Sequence, residues 1–392
     1  MDSISYLICS IAQVGREHPS YPPLHAIEAF EHFYRGSAID YEALDRRDGA
    51  CTRREALFRF LLLCAVLDQG PDIAGVRDLL VNVTNELYRR EVRFLHKPLL
   101  FFQEIGLAID QILEKHKTVK GLRAEIWGKA NQTNPERYNL FMDNAKQALN
   151  YAIFRWGVPL ALPLLLDRDC ADEDKKPSVF VDYLETYPSA EIMSQQLKDH
   201  QRYGLGKAVG DKACHLFAKW IVSGFSLVRK KEAGWADFSF EVPYDSNAGR
   251  VLWRTGFLLH WASEEEYIKR EVVQVGRGKQ GLHYIRVTNI RGMPTGNFPG
   301  HLYERYADLA MNYLKVNKRP PSKVEIQRIQ HIYLLENYAV WHLYPAHFDD
   351  GLIHIGTHYC FNHNEPACPE CPISGVCEGH QVNRKLIENY RT

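Results

Sequence analysis

The 392-residue sequence has no net charge to offer a partner: 48 lysines and arginines balance 48 aspartates and glutamates. That balance excludes a strongly basic nucleic-acid binder as a whole-molecule description, so any surface for a charged ligand must come from local clustering. A long apolar run is also missing. The best candidate, Tyr151 to Leu166, is interrupted by Arg155, Pro159 and Pro163, which excludes it as a membrane span. The run from Met1 to Val14 lacks a basic flank and a cleavage-like end, so no signal peptide is expected. Neither an internal repeat nor a low-complexity tail occurs. Cysteines suited to a disulfide framework are absent as well. Five of the nine (Cys9, Cys51, Cys64, Cys170, Cys214) are scattered, mostly in apolar runs, which predicts a reduced, cytoplasmic (intracellular) protein with no membrane partner. Strand-like alternation is absent before residue 235, so the first two-thirds reads as all-α.

What is present is an ordinary globular composition, 45% hydrophobic and 24% charged, long enough for two or three domain-sized units with real cores. Helical spacing runs through 24–44 with Leu24, Ile27, Phe30, Phe33 and Tyr34, and through Arg53 to Leu67, with Leu57, Phe60, Leu61 and Cys64 on one face. The second run stops at Asp68-Gln69-Gly70-Pro71, where the Gly-Pro pair breaks it. Further helices are expected from Ile73 to Arg90, Phe101 to Lys117, Arg137 to Phe154 and Ala190 to His200.

The most specific stretch lies near the end. Cys360, Cys368, Cys371 and Cys377 stand as C-x7-C-x2-C-x5-C. Prolines after Cys368 and Cys371 force tight turns, so successive thiolates can converge. Four thiolates around one centre suit zinc or an iron–sulfur cluster, and His363 is a spare ligand in the zinc case. A second stretch, Tyr203 to Phe217, sets Gly204, Gly206 and Gly210 between two amphipathic segments. Such a helix–turn–helix aims backbone N–H groups outward at a helix N-terminus and can grip a phosphate without much basic charge; it can equally be a tight interhelical turn. A third, Val242 to Val251, places Asp245 before a helix, where aspartate is also a good N-cap.

Taken in chain order, the glycine turn with Lys212, then Asp245 at a helix start, then the cysteine loop, these three stretches resemble the helix-hairpin-helix DNA glycosylases of the endonuclease III type. Their closing [4Fe-4S] loop is usually C-x6-C-x2-C-x5-C, and here the first interval is one residue longer. The run Gly351 to Tyr359 resembles the helix that leads into that loop. The hairpin core, roughly G-[VI]-G-x-K-[TA]-A in the family, is Ala208-Val209-Gly210-Asp211-Lys212-Ala213-Cys214 here, with Ala208 in place of the first glycine. Val242 to Val251 resembles V-D-[ST]-[HN]-x-x-R-[VIL]. The resemblance implies that Asp245 and Lys212 are catalytic. It implies DNA contacts from Gly204, Gly206, Lys207, Gly210, Ser246, Asn247 and Arg250, with Gln69 from the turn after the second helix. It also implies a [4Fe-4S] cluster, with zinc as the alternative.

The fold expected is mainly α: a helical bundle of two lobes with a small β-hairpin insert and a C-terminal four-cysteine metal loop. Its parts are an N-terminal helical extension (1–50), a helical barrel (51–222) with the hairpin at 200–220, the aspartate segment (223–262), an insert (263–321), and C-terminal helices with the metal loop (322–392). Within the insert, Glu271 to Val287 reads as two β-branched runs around a Gly-rich turn. Arg277 and Lys279 at its tip are candidate DNA-backbone contacts. Leu302 to Val316 and Ser322 to Tyr344 read as helical.

The chemistry the resemblance implies begins with a modified base leaving the duplex stack. Asp245 would stabilise positive charge growing on the sugar. Lys212 would either attack the anomeric carbon, permitting strand cleavage, or position the DNA while water attacks. The long N-terminus, the stretched loop before Asp245 and the insert resemble the divergent branch acting on hypermodified phage bases, such as glucosylated hydroxymethylcytosine or α-glutamyl and putrescinyl thymine. The expected partner is double-stranded DNA, met by a monomer. The alternative is a non-catalytic helix-hairpin-helix DNA-binding protein with a structural metal site.

Overall fold

The computed structural model describes residues 3–68, 73–126, 146–170, 177–187, 190–230, 235, 246–257, 273–277, 283–287, 343, 345–361 and 364–388. The chain is mainly α-helical, as its periodicity predicts. It divides into two compact units. One comprises 1–20, 189–191 and 231–392, the other 21–188 and 192–230. Residues 1–50, read from the sequence as a single extension, are thus shared between the two: helix α1 (Ser3–Glu17) belongs to the first unit, and 21–50 to the second.

The second unit opens with a departure from the sequence reading. Residues 24–44 form no α-helix but three 3-10 segments, Leu24–Ala26, Glu28–Phe33 and Tyr41–Ala43, with a short antiparallel pair, β1 (Tyr34–Arg35) and β2 (Ala38–Ile39), between the second and third. The apolar residues Leu24, Ile27, Phe30 and Phe33 are all fully buried. Their spacing is every third residue, the period of a 3-10 helix rather than an α-helix. Gly36, at φ 66°, makes the turn between β1 and β2. Gly49, at φ 67°, does the same between β3 (Arg47–Asp48) and β4 (Cys51–Thr52).

Helix α2 (Arg53–Leu67) is the axis of this unit, and every residue from Arg54 to Leu67 is buried. The one-sided face expected from the sequence is therefore only part of its contact surface. Thr52 Oγ1 caps the helix by accepting from the Glu55 N–H at 3.2 Å. The Glu55 carboxylate accepts from the N–H groups of Phe180 (3.1 Å) and Val181 (2.8 Å) and pairs with Arg59 at 2.7 Å. A buried charge survives here because its acceptor capacity is filled.

Helix α3 spans Ile73–Arg89. The single helix expected over Phe101 to Lys117 is two, α4 (Leu99–Glu104) and α5 (Ile109–Lys115). Gly106 sits at φ 63°, with its N–H bonded to Gln103 O (3.0 Å) and the Leu107 N–H bonded to Phe102 O (2.8 Å). That is a Schellman termination, which glycine alone enters without strain. After α6 (Val119–Ile126), helix α7 (Lys146–Asp169) runs straight through Pro159 and Pro163. Each proline forfeits a backbone bond at a cost of about 3 kcal/mol. Burial of Trp156, Val158, Leu160, Leu162 and Leu165 offsets it. Helices α8 (Val179–Glu185), α9 (Ala190–Asp199) and α10 (Asp211–Lys219) follow.

In the first unit, α11 (Ser246–Arg254) and α12 (Pro345–His358) meet α1 around a core of Leu7, Ile8, Ile11, Val251, Trp253 and Leu352. Glycines set the approach of α1 to α12. A methyl group at Gly15 would collide with the carbonyl oxygen of His347, and one at Gly351 with that of Ile11. Strands β5 (Val273–Arg277) and β6 (His283–Val287) pair antiparallel with Val273 opposite Val287, the hairpin read from the sequence. The short helices α13 (Glu378–Gln381) and α14 (Lys385–Glu388) end the unit. No helix among the described residues is long and apolar enough to cross a membrane. The helices expected at 302–316 and 322–344 lie outside the described residues, Leu343 excepted.

Candidate functional site

Helix α12 delivers Cys360 two residues after its last turn. The loop beyond is tied by Ala367 N–H to Tyr359 O (2.8 Å), Cys371 N–H to Cys368 O (3.2 Å) and Ser374 N–H to Cys371 O (2.9 Å). The proline-punctuated turns thus close as the sequence implied. Cys360, Cys368, Cys371 and Cys377 all line one small cavity that is partly open to solvent. Its walls include the apolar Val251, Ile355 and Ile373. Burial is the largest influence on three of the thiols, raising that of Cys368, pushing Cys371 up to about 12 and Cys377 to about 11. Two guanidinium groups reach the sulfurs: Arg254 donates to Cys360 Sγ at 3.4 Å, and an Arg384 nitrogen lies 4.0 Å from Cys368 Sγ. Among the described residues, no set of three or more His, Cys, Asp or Glu side chains is gathered closely enough to hold a single metal ion. His363 lies outside them. The four sulfurs share one largely apolar cavity, with Arg254 and Arg384 beside two of them.

Helix α11 is bound to this loop by its own side chains. Arg250 is 4% exposed. It donates to Cys360 O (2.6 Å), Gly356 O (2.7 Å) and Asn247 Oδ1 (2.6 Å). One turn later Arg254, 1% exposed, donates to Phe361 O at 2.7 Å. Gly379 allows close contact, since a methyl group there would strike Arg254 O. Arg250 and Asn247, expected at DNA, are thus engaged in fastening α11 to the C-terminal end of α12, whose last carbonyls need donors. Ser246 is the first residue of α11. Asp245, which precedes it, lies outside the described residues.

The glycine turn of the second unit sits between α9 and α10, with a 3-10 turn at Gly206–Ala208 that contains Lys207. Gly204 is packed against backbone, and a methyl group there would meet His200 O at 2.5 Å and His200 N at 2.6 Å. Gly206 has φ 55°, the conformation that glycine makes cheap. Gly210 is the exposed N-cap of α10, with open space where a side chain would be. Ala208 is buried and outside the left-handed region. The turn's positive φ falls at Gly206, so position 208 does not require glycine.

Lys212, in the first turn of α10, is half-buried, and its Nζ donates to Asp68 O at 3.2 Å. Asp68, 3% exposed, is the C-cap of α2 and pairs with Arg77 at 3.1 Å. Arg77 in turn lies over the Trp220 ring, 5.7 Å from its centroid. The sequence singled out neither Arg77 nor Arg254. Their signal is a cation at helical spacing on a buried face, which looks like a solvated residue until the partner is known. Arg277 is the last residue of β5, opposite His283; Gln69 and Lys279 lie outside the described residues.

No protein-family model, no curated protein and no solved structure matches the chain.

Proposed function

We propose that this chain is a helix-hairpin-helix DNA glycosylase that excises a modified, bulky pyrimidine, such as glucosylated hydroxymethylcytosine, by breaking its N-glycosidic bond. The observation that carries the proposal is the bond between Arg250 and Cys360 O, 110 residues apart. The aspartate segment and the cysteine loop each resemble the family on their own residues, and Arg250 fastens one to the other. The glycine turn adds support, with its open N-cap at Gly210 ahead of Lys212.

In this reading backbone N–H groups at the start of α10 hold phosphate. The C1′–N bond breaks with its electron pair leaving on the base. Asp245 stabilises the positive charge left on the sugar, and water or the Lys212 amine adds to C1′. Addition by Lys212, with loss of a proton, gives a closed-ring aminal; the C1′–O4′ bond then breaks, the ring oxygen taking up a proton, to leave an imine that permits strand cleavage. Cys360, Cys368, Cys371 and Cys377 would hold the [4Fe-4S] group, the alternative being zinc. Bound there, it would supply a cross-link that fixes the loop, and no electron transfer is needed for base release.

The second reading is a non-catalytic DNA-binding protein, favoured by the bond from Lys212 to Asp68 O, an ordinary role for an ammonium group. Both are tested by incubating the protein with glucosylated phage DNA and with unmodified DNA, then treating with alkali. The glycosylase reading expects alkali-labile sites in the modified DNA and their loss in Asp245→Asn. Binding without labile sites supports the second reading. Labile sites formed at an equal rate by Asp245→Asn remove the catalytic role of that residue.

A further inference from the structure

Asp68 is bonded on three sides and deprived on a fourth. Its N–H donates to Cys64 O at 2.8 Å, its carbonyl accepts from Lys212 Nζ at 3.2 Å, and its Oδ2 pairs with Arg77 at 3.1 Å. Oδ1 is buried without a hydrogen-bond partner. An unmet buried carboxylate oxygen costs about 1–3 kcal/mol, and native interiors satisfy nearly all such atoms. Capping α2 does not require the carboxylate, because the cap bond uses the backbone N–H. Holding Arg77 does not fully occupy it either. Arg77 also lies over the Trp220 ring and donates to Tyr21 O at 3.3 Å, and Oδ1 has no hydrogen-bond partner. The same residue's carbonyl holds the Lys212 amine. Charges this poorly solvated act on one another more strongly than they would in water.

We propose that Asp68 is a positioning residue for Lys212: its carbonyl fixes the amine in place, and its under-bonded carboxylate, moderated by Arg77, sets how much of that amine is uncharged. The inference rests on Lys212 being the reacting amine of the preceding section. An opposite charge close by favours the ammonium form, and a like charge disfavours it. Asp68 and Arg77 therefore act on Lys212 with opposite signs, and the ion pair between them works as a setting rather than as a brace.

The experiment is the pH dependence of Lys212 acetylation in the full chain, read by mass spectrometry, with Lys198 as internal reference. Asp68→Asn keeps the shape and the carbonyl but removes the charge. Its Lys212 labelling midpoint should fall by about one pH unit, roughly tenfold more free amine at a given lower pH. Arg77→Gln should move the midpoint upward, and this opposite sign separates the proposal from general loosening. It also keeps the test alive should one variant fail to fold. Midpoints equal to wild type in folded variants overturn the proposal. Borohydride trapping of the wild-type chain on abasic duplex is the separate check on Lys212 as nucleophile. Labelling shifts without trapping would leave Asp68 setting a lysine that does not react, and trapping without labelling shifts would remove Asp68 alone.

Discussion

Arg250 spends a buried guanidinium on two backbone carbonyls and one amide oxygen, and the cost of losing it follows directly. Arg250→Met would leave Cys360 O and Gly356 O without their charged donor. At about 1–3 kcal/mol for each unmet buried group, urea unfolding should show a loss of about 2–4 kcal/mol. A change within about 0.5 kcal/mol, the range of an ordinary surface substitution, would mean that α11 is held by packing alone. At this scale the sequence was informative about identity and poor about orientation. The four cysteines were legible because their spacing and prolines admit few other uses. Lys212 was legible as a residue, yet its bond to Asp68 O was not, because the two are 144 positions apart. Arg250 reads as a DNA contact only through the motif that Val242 to Val251 resembles. That its donors face inward depends on where α12 ends.

Among elements, the α1–α12 pair carries a titratable contact. His18 and His354 stack face to face with centroids 3.9 Å apart, and His358 stacks on His354 at 4.3 Å. Burial first, then the neighbouring imidazoles of His358 and His18, holds His354 down to about 4. An unfolded histidine titrates near 6.5. Between about 4 and about 6.5 the unfolded chain therefore binds more protons, and stability falls as pH drops through that window. In His354→Phe, which keeps the stacking face and cannot charge, the urea midpoint should decline less between pH 7 and pH 5 than in wild type. Equal declines would place the acid sensitivity elsewhere, with buried His96, also lowered mainly by burial, as the next candidate. Element type was largely legible and element limits were not. Phe30 and Phe33 kept a three-residue period that looks helical in a short window. Pro159 and Pro163 look like breaks in a sequence, but the burial around α7 overrides them. Gly106 stops α4 through one bond pattern that the apolar spacing on either side conceals.

Across the whole molecule, the mainly α character was legible from periodicity, but the partition into two units was not. Residues 1–20 join a unit whose other segments begin near residue 189 and residue 231. That association depends on Gly15 and Gly351 admitting a close helix crossing, a feature with no local signature. If the cysteine loop holds four irons, the resemblance behind the proposed roles of Lys212 and Asp245 gains its anchor. The direct measurement is the iron and acid-labile sulfide content of protein purified without air, together with its visible spectrum. The account predicts a brown protein with a broad visible band and about four irons per chain, the stoichiometry of a [4Fe-4S] group, with loss of colour when Cys371→Ser is introduced. A colourless protein carrying one zinc would contradict it and leave the glycine turn and Asp245 without their anchor.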